Sequence, residues 1–98
     1  MTIRQEKDLS RWRARIDVVD KQLVRLLNRR ARLATQIGLF KNRNGLPVRD
    51  RRRERQVLQR ISWAEQGPLS DLQLKTIFRS IIHETVRLER SVLQLAKD

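Results

Sequence analysis

One arginine stands inside an apolar heptad seam. Apolar side chains that alternate at spacings of three and four residues are Leu9, Trp12, Ile16, Val19, Leu23, Leu26, Leu33, Ile37 and Phe40. This spacing is typical of a long helix packed against other helices. Arg30 falls in register between Leu26 and Leu33. A guanidinium stays charged in proteins, and burying it costs on the order of several kcal/mol unless an anion meets it. The seam therefore predicts an anion inside a helical protein.

A second cation faces the same interior. Lys41 lies eleven residues beyond Arg30, and eleven steps of about 100° return it to within roughly 20° of the same helix face. Arg13 lies seventeen residues before Arg30 and points about 100° away. We therefore expect Arg30 and Lys41 to line one buried anion pocket. Arg13 should miss the pocket of its own subunit, although in a dimer it could reach that of the neighbour.

Composition narrows the chemistry of such a pocket. The 98 residues carry 23 Lys and Arg against 11 Asp and Glu, a net charge of +12, which suits nucleic acid, an anionic membrane surface or an anionic small molecule. Cys and Tyr are absent and His83 is the one histidine, which excludes thiolate nucleophiles, disulfides and clustered histidine ligands. We expect no metal and no cofactor. An enzyme of this composition would work without covalent chemistry.

We expect neither a cleaved leader nor a membrane-spanning helix. Its first residues are charged rather than apolar, and no apolar run approaches the length of about 18 residues that spans a bilayer. The expectation is a soluble, cytoplasmic protein.

The pattern predicts an all-α fold of three helices, long, short and long, in a single domain over residues 1–98. The first runs over about 8–42, the second starts at the N-cap Asp50 and ends by 67–68, and the third follows a capping box at 70–73. A first helix of about 50 Å outruns a compact domain of this size. A homodimer with two such helices side by side is the simplest way to cover the seam.

Several polar side chains interrupt or border the apolar faces. They are Arg30, Lys41, Asp50, Arg53, Glu54, Thr85 and Glu89. Cations with a few acceptors suit a ligand that has two carboxylates plus a hydroxyl or ether, because guanidinium groups pair carboxylates in bidentate fashion. No glycine-rich phosphate loop supports a nucleotide. The set predicts a pocket for a small organic dianion.

Five separated motifs occur in order along the chain. They are Arg13-x-x-Ile16-x-x-x-Asp20, Leu26-Leu27-x-x-Arg30, Ile37-Gly38-x-x-Lys41, Pro47-Val48-Arg49-Asp50-x-x-Arg53-Glu54 and Ile81-Ile82-x-x-Thr85-x-x-x-Glu89. Together they resemble the all-α chorismate mutases of the bacterial AroQ type, over nearly the whole chain. The resemblance implies an intertwined homodimer of three-helix subunits. Each of its two active sites would be lined mainly by one subunit and completed by an arginine of the other.

The resemblance also implies a role for each polar residue at the reacting end of chorismate. Arg30 and the partner subunit's Arg13 would hold the two carboxylates, and Thr85 would contact a carboxylate. Lys41 would donate to the ether oxygen and to a nearby carboxylate, and Glu89 would face the same ether oxygen. Catalysis would come from holding the substrate in a compact conformation and stabilising the negative charge that grows on that oxygen.

The same resemblance assigns the ring end and the walls. Glu54 would accept from the ring hydroxyl, supported by backbone near Asp50, and Arg53 would help to fix that end. The apolar walls would be Ile37, Val57, Ile82 and Val86. The implied reaction, chorismate to prephenate, rearranges bonds within one molecule and needs neither nucleophile nor metal.

Glu89 departs from well-known single-domain bacterial members of the family, which carry glutamine there, whereas some relatives carry glutamate. A glutamate can donate only when protonated. A substrate dianion and an apolar wall should raise its pKa, whereas Lys41 pulls the pKa the other way. The hypothesis is that activity falls as pH rises through the pKa of Glu89 in the complex.

Two other classes of function stay open on the sequence alone. An isochorismate pyruvate lyase or a mutase of an amino analogue of chorismate can use the same scaffold, since fold and carboxylate clamps do not fix the reaction. The complete 47–54 block favours the mutase over the lyase. A basic helical nucleic-acid binder would explain the charge of +12, but not why Arg30, Thr85 and Glu89 interrupt apolar stripes.

Overall fold

The computed structural model describes residues 1–64 and 66–97, with side chains through residue 95, and holds three helices in those ranges. Helix α1 spans Ile3–Arg43, α2 spans Arg51–Ser62 and α3 spans Asp71–Lys97. The described residues contain no strand. The predicted all-α order of long, short and long helices is confirmed.

The chain forms two compact units. The first is residues 1–30, most of which belong to α1, and the second begins at Ala31 and holds the rest of α1 together with α2 and α3. Within the second unit α2 packs against α3.

Helix α1 starts earlier than its apolar seam indicates. Thr2 and Gln5 form a capping box in which the Thr2 N–H donates to Gln5 Oε1 at 2.8 Å and the Gln5 N–H donates to Thr2 Oγ1 at 3.1 Å. The predicted start near Asp8 is therefore wrong, because the helix begins at Ile3. A Thr-x-x-Gln capping box satisfies the first helical N–H groups before any apolar periodicity begins.

The end of α1 and the start of α2 follow the predicted break. Gly45 has a φ of 67°, which allows the chain to leave the helix in a left-handed conformation. The Leu46 N–H donates back to the Lys41 carbonyl at 2.8 Å. Asp50 then caps α2, its Oδ1 accepting from the Arg53 N–H at 3.0 Å. The predicted N-cap is confirmed.

Helix α2 ends earlier than predicted, whereas α3 starts where its capping box predicts. Helix α2 ends at Ser62 rather than near 67–68, because the Trp63 N–H turns back to the Arg60 carbonyl at 3.1 Å. The capping box before α3 is present. Gln73 Oε1 accepts from the Ser70 N–H at 2.9 Å, and Ser70 Oγ accepts from the Gln73 N–H at 3.2 Å.

Replacing Asp50 by alanine should lower the free energy of unfolding by about 1 kcal/mol, because one N–H of the first turn of α2 loses its acceptor. Urea or thermal unfolding of the purified variant measures this loss. Asp50→Asn is the matched control, since asparagine also caps helices well. Equal destabilisation by both substitutions would contradict a capping role for this side chain.

Burial is concentrated on α3. Among the described residues, the buried apolar side chains are Ile82 and Leu93, and the buried charged side chain is Glu89. The apolar seam of α1 is largely exposed. More than half of the residue surface is accessible at each of Trp12, Ile16, Val19, Leu23, Leu26, Leu33, Ile37 and Phe40. No described helix combines the length and the low polarity that crossing a bilayer requires.

Candidate active site

Glu89 is the most deeply placed polar group of the predicted set, with 7% of the residue exposed. It meets α1 at Gly38, which is also buried. A Cβ built on Gly38 would lie 3.2 Å from Glu89 Cγ and 3.4 Å from Glu89 Oε2. The backbone of α1 and the side chain of Glu89 are therefore in close contact at this point. The carboxyl residue that interrupts the apolar stripe of α3 is therefore buried in the fold.

Lys41 lies on α1 one helical turn beyond Gly38 and is half-buried. Its Nζ donates to the carbonyl of Val48, in the loop before α2, at 2.9 Å. An ammonium has three N–H donors. The bond to Val48 uses one and holds the side chain in place, so further donors can serve an anionic ligand.

Glu54 is held by a residue to which the sequence pattern assigned no role. Arg49 Nε donates to Glu54 Oε2 at 3.1 Å and Arg49 Nη2 donates to Oε1 at 3.2 Å, with 19% of the Glu54 side chain exposed. Such a bidentate pair fixes the plane of the carboxylate. Each carboxylate oxygen keeps a further lone pair that can accept from a hydroxyl. Arg49 lies within the 47–54 motif, and its spacing of five residues from Glu54 was the available signal.

The side chain of Asp50 contacts the backbone of Arg53 at the start of α2. The Asp50 carboxylate accepts from the Arg53 N–H, while the side chain of Arg53 is exposed. Asp50 therefore organises the start of the helix that carries Glu54.

Thr85 lies one turn before Glu89 on α3 and is half-buried. Its Oγ1 donates to the carbonyls of Ile81 and Ile82 at 3.0 and 2.9 Å. To donate to a carboxylate the hydroxyl must rotate away from its own helix. The predicted apolar walls Ile82, Val86 and Val57 are buried or half-buried, as the wall of a binding pocket requires.

Three other predicted residues have little cover within the single chain. Arg13 is exposed and Arg30 half-buried in the N-terminal unit. Ile37 is 52% exposed, which is more than a pocket wall usually keeps.

A cavity of about 450 Å³ lies between α2 and α3. From the predicted set it is lined by Glu54, Ile82 and Val86, and its wall in the described residues also carries six arginines: Arg49, Arg51, Arg55, Arg79, Arg87 and Arg90. Arg51 and Arg90 are exposed and line this cavity. Lys41, Thr85 and Glu89 do not line it. Six of the 23 Lys and Arg residues thus line one concave surface that includes part of the predicted site.

Comparison with known proteins places the chain in a family. Residues 12–90 match chorismate mutase type II. Because this match covers most of the chain, the protein belongs to the chorismate mutase type II family.

Solved structures agree with the family assignment. Form II of the chorismate mutase from Thermus thermophilus is 30% identical, with a TM-score of 0.83 over 85% of this chain and 94% of that chain. Form I of the same enzyme is 29% identical, with a TM-score of 0.77 over 80% of this chain and 98% of that chain. Both are all but fully covered by the fold described above.

Curated relatives are longer proteins. The bifunctional chorismate mutase/prephenate dehydratase of Aquifex aeolicus is 33% identical over 90 residues, which are 88% of this chain and 25% of that protein. The proteins of the same name from Neisseria gonorrhoeae and Escherichia coli are 40% identical over 75 residues and 33% over 90, covering 76% and 91% of this chain and 20% and 23% of their own length. The chain spans about a quarter or less of these relatives.

Proposed function

We propose that this protein is a chorismate mutase, an isomerase that converts chorismate to prephenate without covalent catalysis. The observation that carries the proposal is a buried carboxyl residue, Glu89, that lies against Gly38 of α1, one helical turn before Lys41, whose ammonium donates to Val48. In the rearrangement an ether C–O bond breaks while a C–C bond forms in the same molecule. No atom is gained or lost, so the protein needs only to fold the substrate and stabilise charge.

The ether oxygen gains negative charge as the C–O bond breaks, and Lys41 and Glu89 are the proposed donors to it. Lys41 is charged and fixed by Val48, so little reorganisation is needed as the charge develops. Glu89 donates in its protonated form. An ammonium and a buried carboxylic acid on two sides of one oxygen favour the transition state over the ground state, which raises kcat.

The remaining residues are proposed to bind and shape the substrate. Arg30 and the partner subunit's Arg13 hold the two carboxylates, and Thr85 assists at a carboxylate. At the ring end Glu54, held flat by Arg49, accepts from the hydroxyl. The other proposed contributors are Asp50 and Arg53 at that end and the walls Ile37, Val57, Ile82 and Val86.

A homodimer is part of the proposal, because the exposed seam of α1 needs cover. Burying apolar surface stabilises by about 25 cal/mol per Å², and exposed apolar stripes of this length mark an interaction surface. A second copy of the same helix is complementary through knobs-into-holes packing along the heptads. The single domain over residues 1–98 and the cytoplasmic location remain predictions.

Leu23→Asp should dissociate the dimer and abolish activity, since it places a charge in the middle of the seam. Leu23 is 51% exposed in the single chain. Light scattering after gel filtration gives the mass of each species. Val24→Asp is the matched control, because Val24 is 56% exposed and lies outside the heptad positions. A monomeric wild-type protein that is fully active would refute the dimer.

The test of the function itself is the loss of chorismate absorbance in the presence of the purified protein, with the product identified by chromatography. Prephenate is the expected product. Parallel reactions with isochorismate and with the amino analogue of chorismate distinguish the two related enzymes. If a folded protein leaves all three compounds unchanged but binds duplex DNA with steep salt dependence, the proposal is wrong and the protein is a nucleic-acid binder.

A further inference from the structure

We propose that Gly38 is a positioning residue that sets where the Glu89 carboxyl group lies against α1. The expected effect of Gly38 on catalysis rests on the proposed function. Its expected effect on how Gly38 and Glu89 pack does not. Gly38 touches no substrate in this proposal and acts through Glu89.

Backbone conformation does not explain a glycine at this position. Gly38 lies inside α1, which continues to Arg43, and glycine is among the least favourable residues in a helix interior. Among the described residues Gly45 alone has a positive φ. Gly38 therefore keeps a helical conformation that alanine adopts more readily, and the reason for glycine must be space.

The space is taken by one side chain. The three atoms nearest to a Cβ built on Gly38 are Glu89 Cγ at 3.2 Å, Glu89 Cβ at 3.3 Å and Glu89 Oε2 at 3.4 Å. Separations of 3.2 and 3.3 Å are tighter than ordinary carbon contacts of about 3.5–4.0 Å. A methyl group at residue 38 would therefore push the Glu89 side chain away from α1 by a few tenths of an ångström. The displaced atoms include a carboxyl oxygen.

The displacement matters because Glu89 has little room to adjust. It is 7% exposed, and protein interiors are close-packed. Lys41 lies one turn away on the same helix as Gly38, and its Nζ is anchored to Val48. Moving the carboxyl group while the ammonium stays fixed alters the geometry between the two groups proposed to face the ether oxygen. Catalysis is sensitive to such small displacements.

A double-mutant cycle tests the pair. The variants are Gly38→Ala, Glu89→Ala and the combination of both, with Gly67→Ala as the control. A Cβ on Gly67 would meet no described atom within 4 Å, so this control removes a glycine without touching Glu89. Each protein is assayed for its thermal midpoint and for kcat and KM with chorismate.

The expected result is an effect of Gly38→Ala that depends on Glu89. With Glu89 present, Gly38→Ala should lower kcat on the order of tenfold, with a much smaller change in KM. In the Glu89→Ala background it should lower kcat no further. The thermal midpoint should respond to the same substitution about 4 °C more favourably in that background than with Glu89 present, because the contacts to Glu89 Cγ and Oε2 are then gone while the 3.3 Å contact to the Cβ of residue 89 remains. Gly67→Ala should leave kcat unchanged.

Several outcomes would overturn the proposal. The thermal midpoint could change equally in both backgrounds, or kcat could fall equally in both, and then Gly38 acts independently of Glu89. Failure of Gly38→Ala to fold supports the proposal if the double variant folds and refutes it if the double variant also fails. Absence of turnover in the wild-type protein refutes the proposed function, while the thermal cycle still decides whether the two residues are coupled.

Discussion

Replacing Arg30 by alanine is expected to lower kcat/KM for chorismate by a factor on the order of 100 to 1,000. A bidentate, charge-assisted contact to a carboxylate contributes about 3–4 kcal/mol when it is fully formed, and each 1.4 kcal/mol corresponds to about a factor of ten. Arg30→Lys is the matched control, because it keeps the charge but loses the planar pair of donors. Activity of Arg30→Lys should lie between that of the wild type and that of Arg30→Ala. Unchanged kinetics in a folded Arg30→Ala protein would remove this residue from the site.

Mixing two inactive variants tests whether a site combines Arg30 of one subunit with Arg13 of the other. Arg13→Ala and Arg30→Ala homodimers should each be inactive. When they are unfolded and refolded together, random pairing makes about half of the dimers mixed, and each mixed dimer has one intact site of two. The mixture should therefore recover about a quarter of the wild-type activity. If both homodimers are inactive and a mixture that contains mixed dimers recovers no activity, the two arginines do not combine across subunits.

The second large effect is expected in the pH dependence of turnover. Glu89 is a buried residue, with 7% of its surface exposed, and burial of a carboxyl group disfavours its charged form. If Glu89 donates to the ether oxygen, activity is fully present below its pKa in the substrate complex and is lost as pH rises through that pKa. Well above this pKa, kcat should fall about tenfold for each pH unit.

Glu89→Gln removes that dependence, since an amide donates at every pH. Its kcat should stay level across the range in which the wild-type kcat falls, so that the variant becomes the more active enzyme at high pH. Glu54→Gln provides a comparison, because the proposed role of Glu54 is to accept from the ring hydroxyl rather than to donate to the ether oxygen. If the Glu89→Gln profile matches the wild-type profile, Glu89 is not the group that titrates.

Local signals in the sequence were sufficient for most of the fold. Asp50 and the 70–73 capping box predicted helix starts that the structure contains, because these side chains bond the nearest backbone N–H groups and need no distant contact. Thr2 and Gln5 form a capping box of the same kind. It lies before the apolar seam from which the start of α1 was predicted. The end of α2 at Ser62 had no comparable marker, and Gly67 and Pro68 lie several residues too late.

Part of the candidate site could likewise be predicted from local patterns in the sequence. Glu89 and Thr85 interrupt an apolar stripe at a spacing of one helical turn, and both are withdrawn from solvent. Arg49 was not given a role, although it holds the Glu54 carboxylate. Its place in the 47–54 motif, five residues before Glu54, is a local signal but does not fix a contact, because the path of the loop before α2 brings the two side chains together.

The sequence by itself determined the three helices, the apolar seam and the identity of the residues that break it, because helix periodicity and capping depend on neighbours within a few positions. Only the tertiary structure decided which groups meet. In the structure Glu89 of α3 lies against Gly38 of α1, and Lys41 donates to the carbonyl of Val48. Arginines of α2 and α3 line one cavity. These contacts join residues far apart in the chain, and their geometry depends on how the helices pack, which no local pattern specifies.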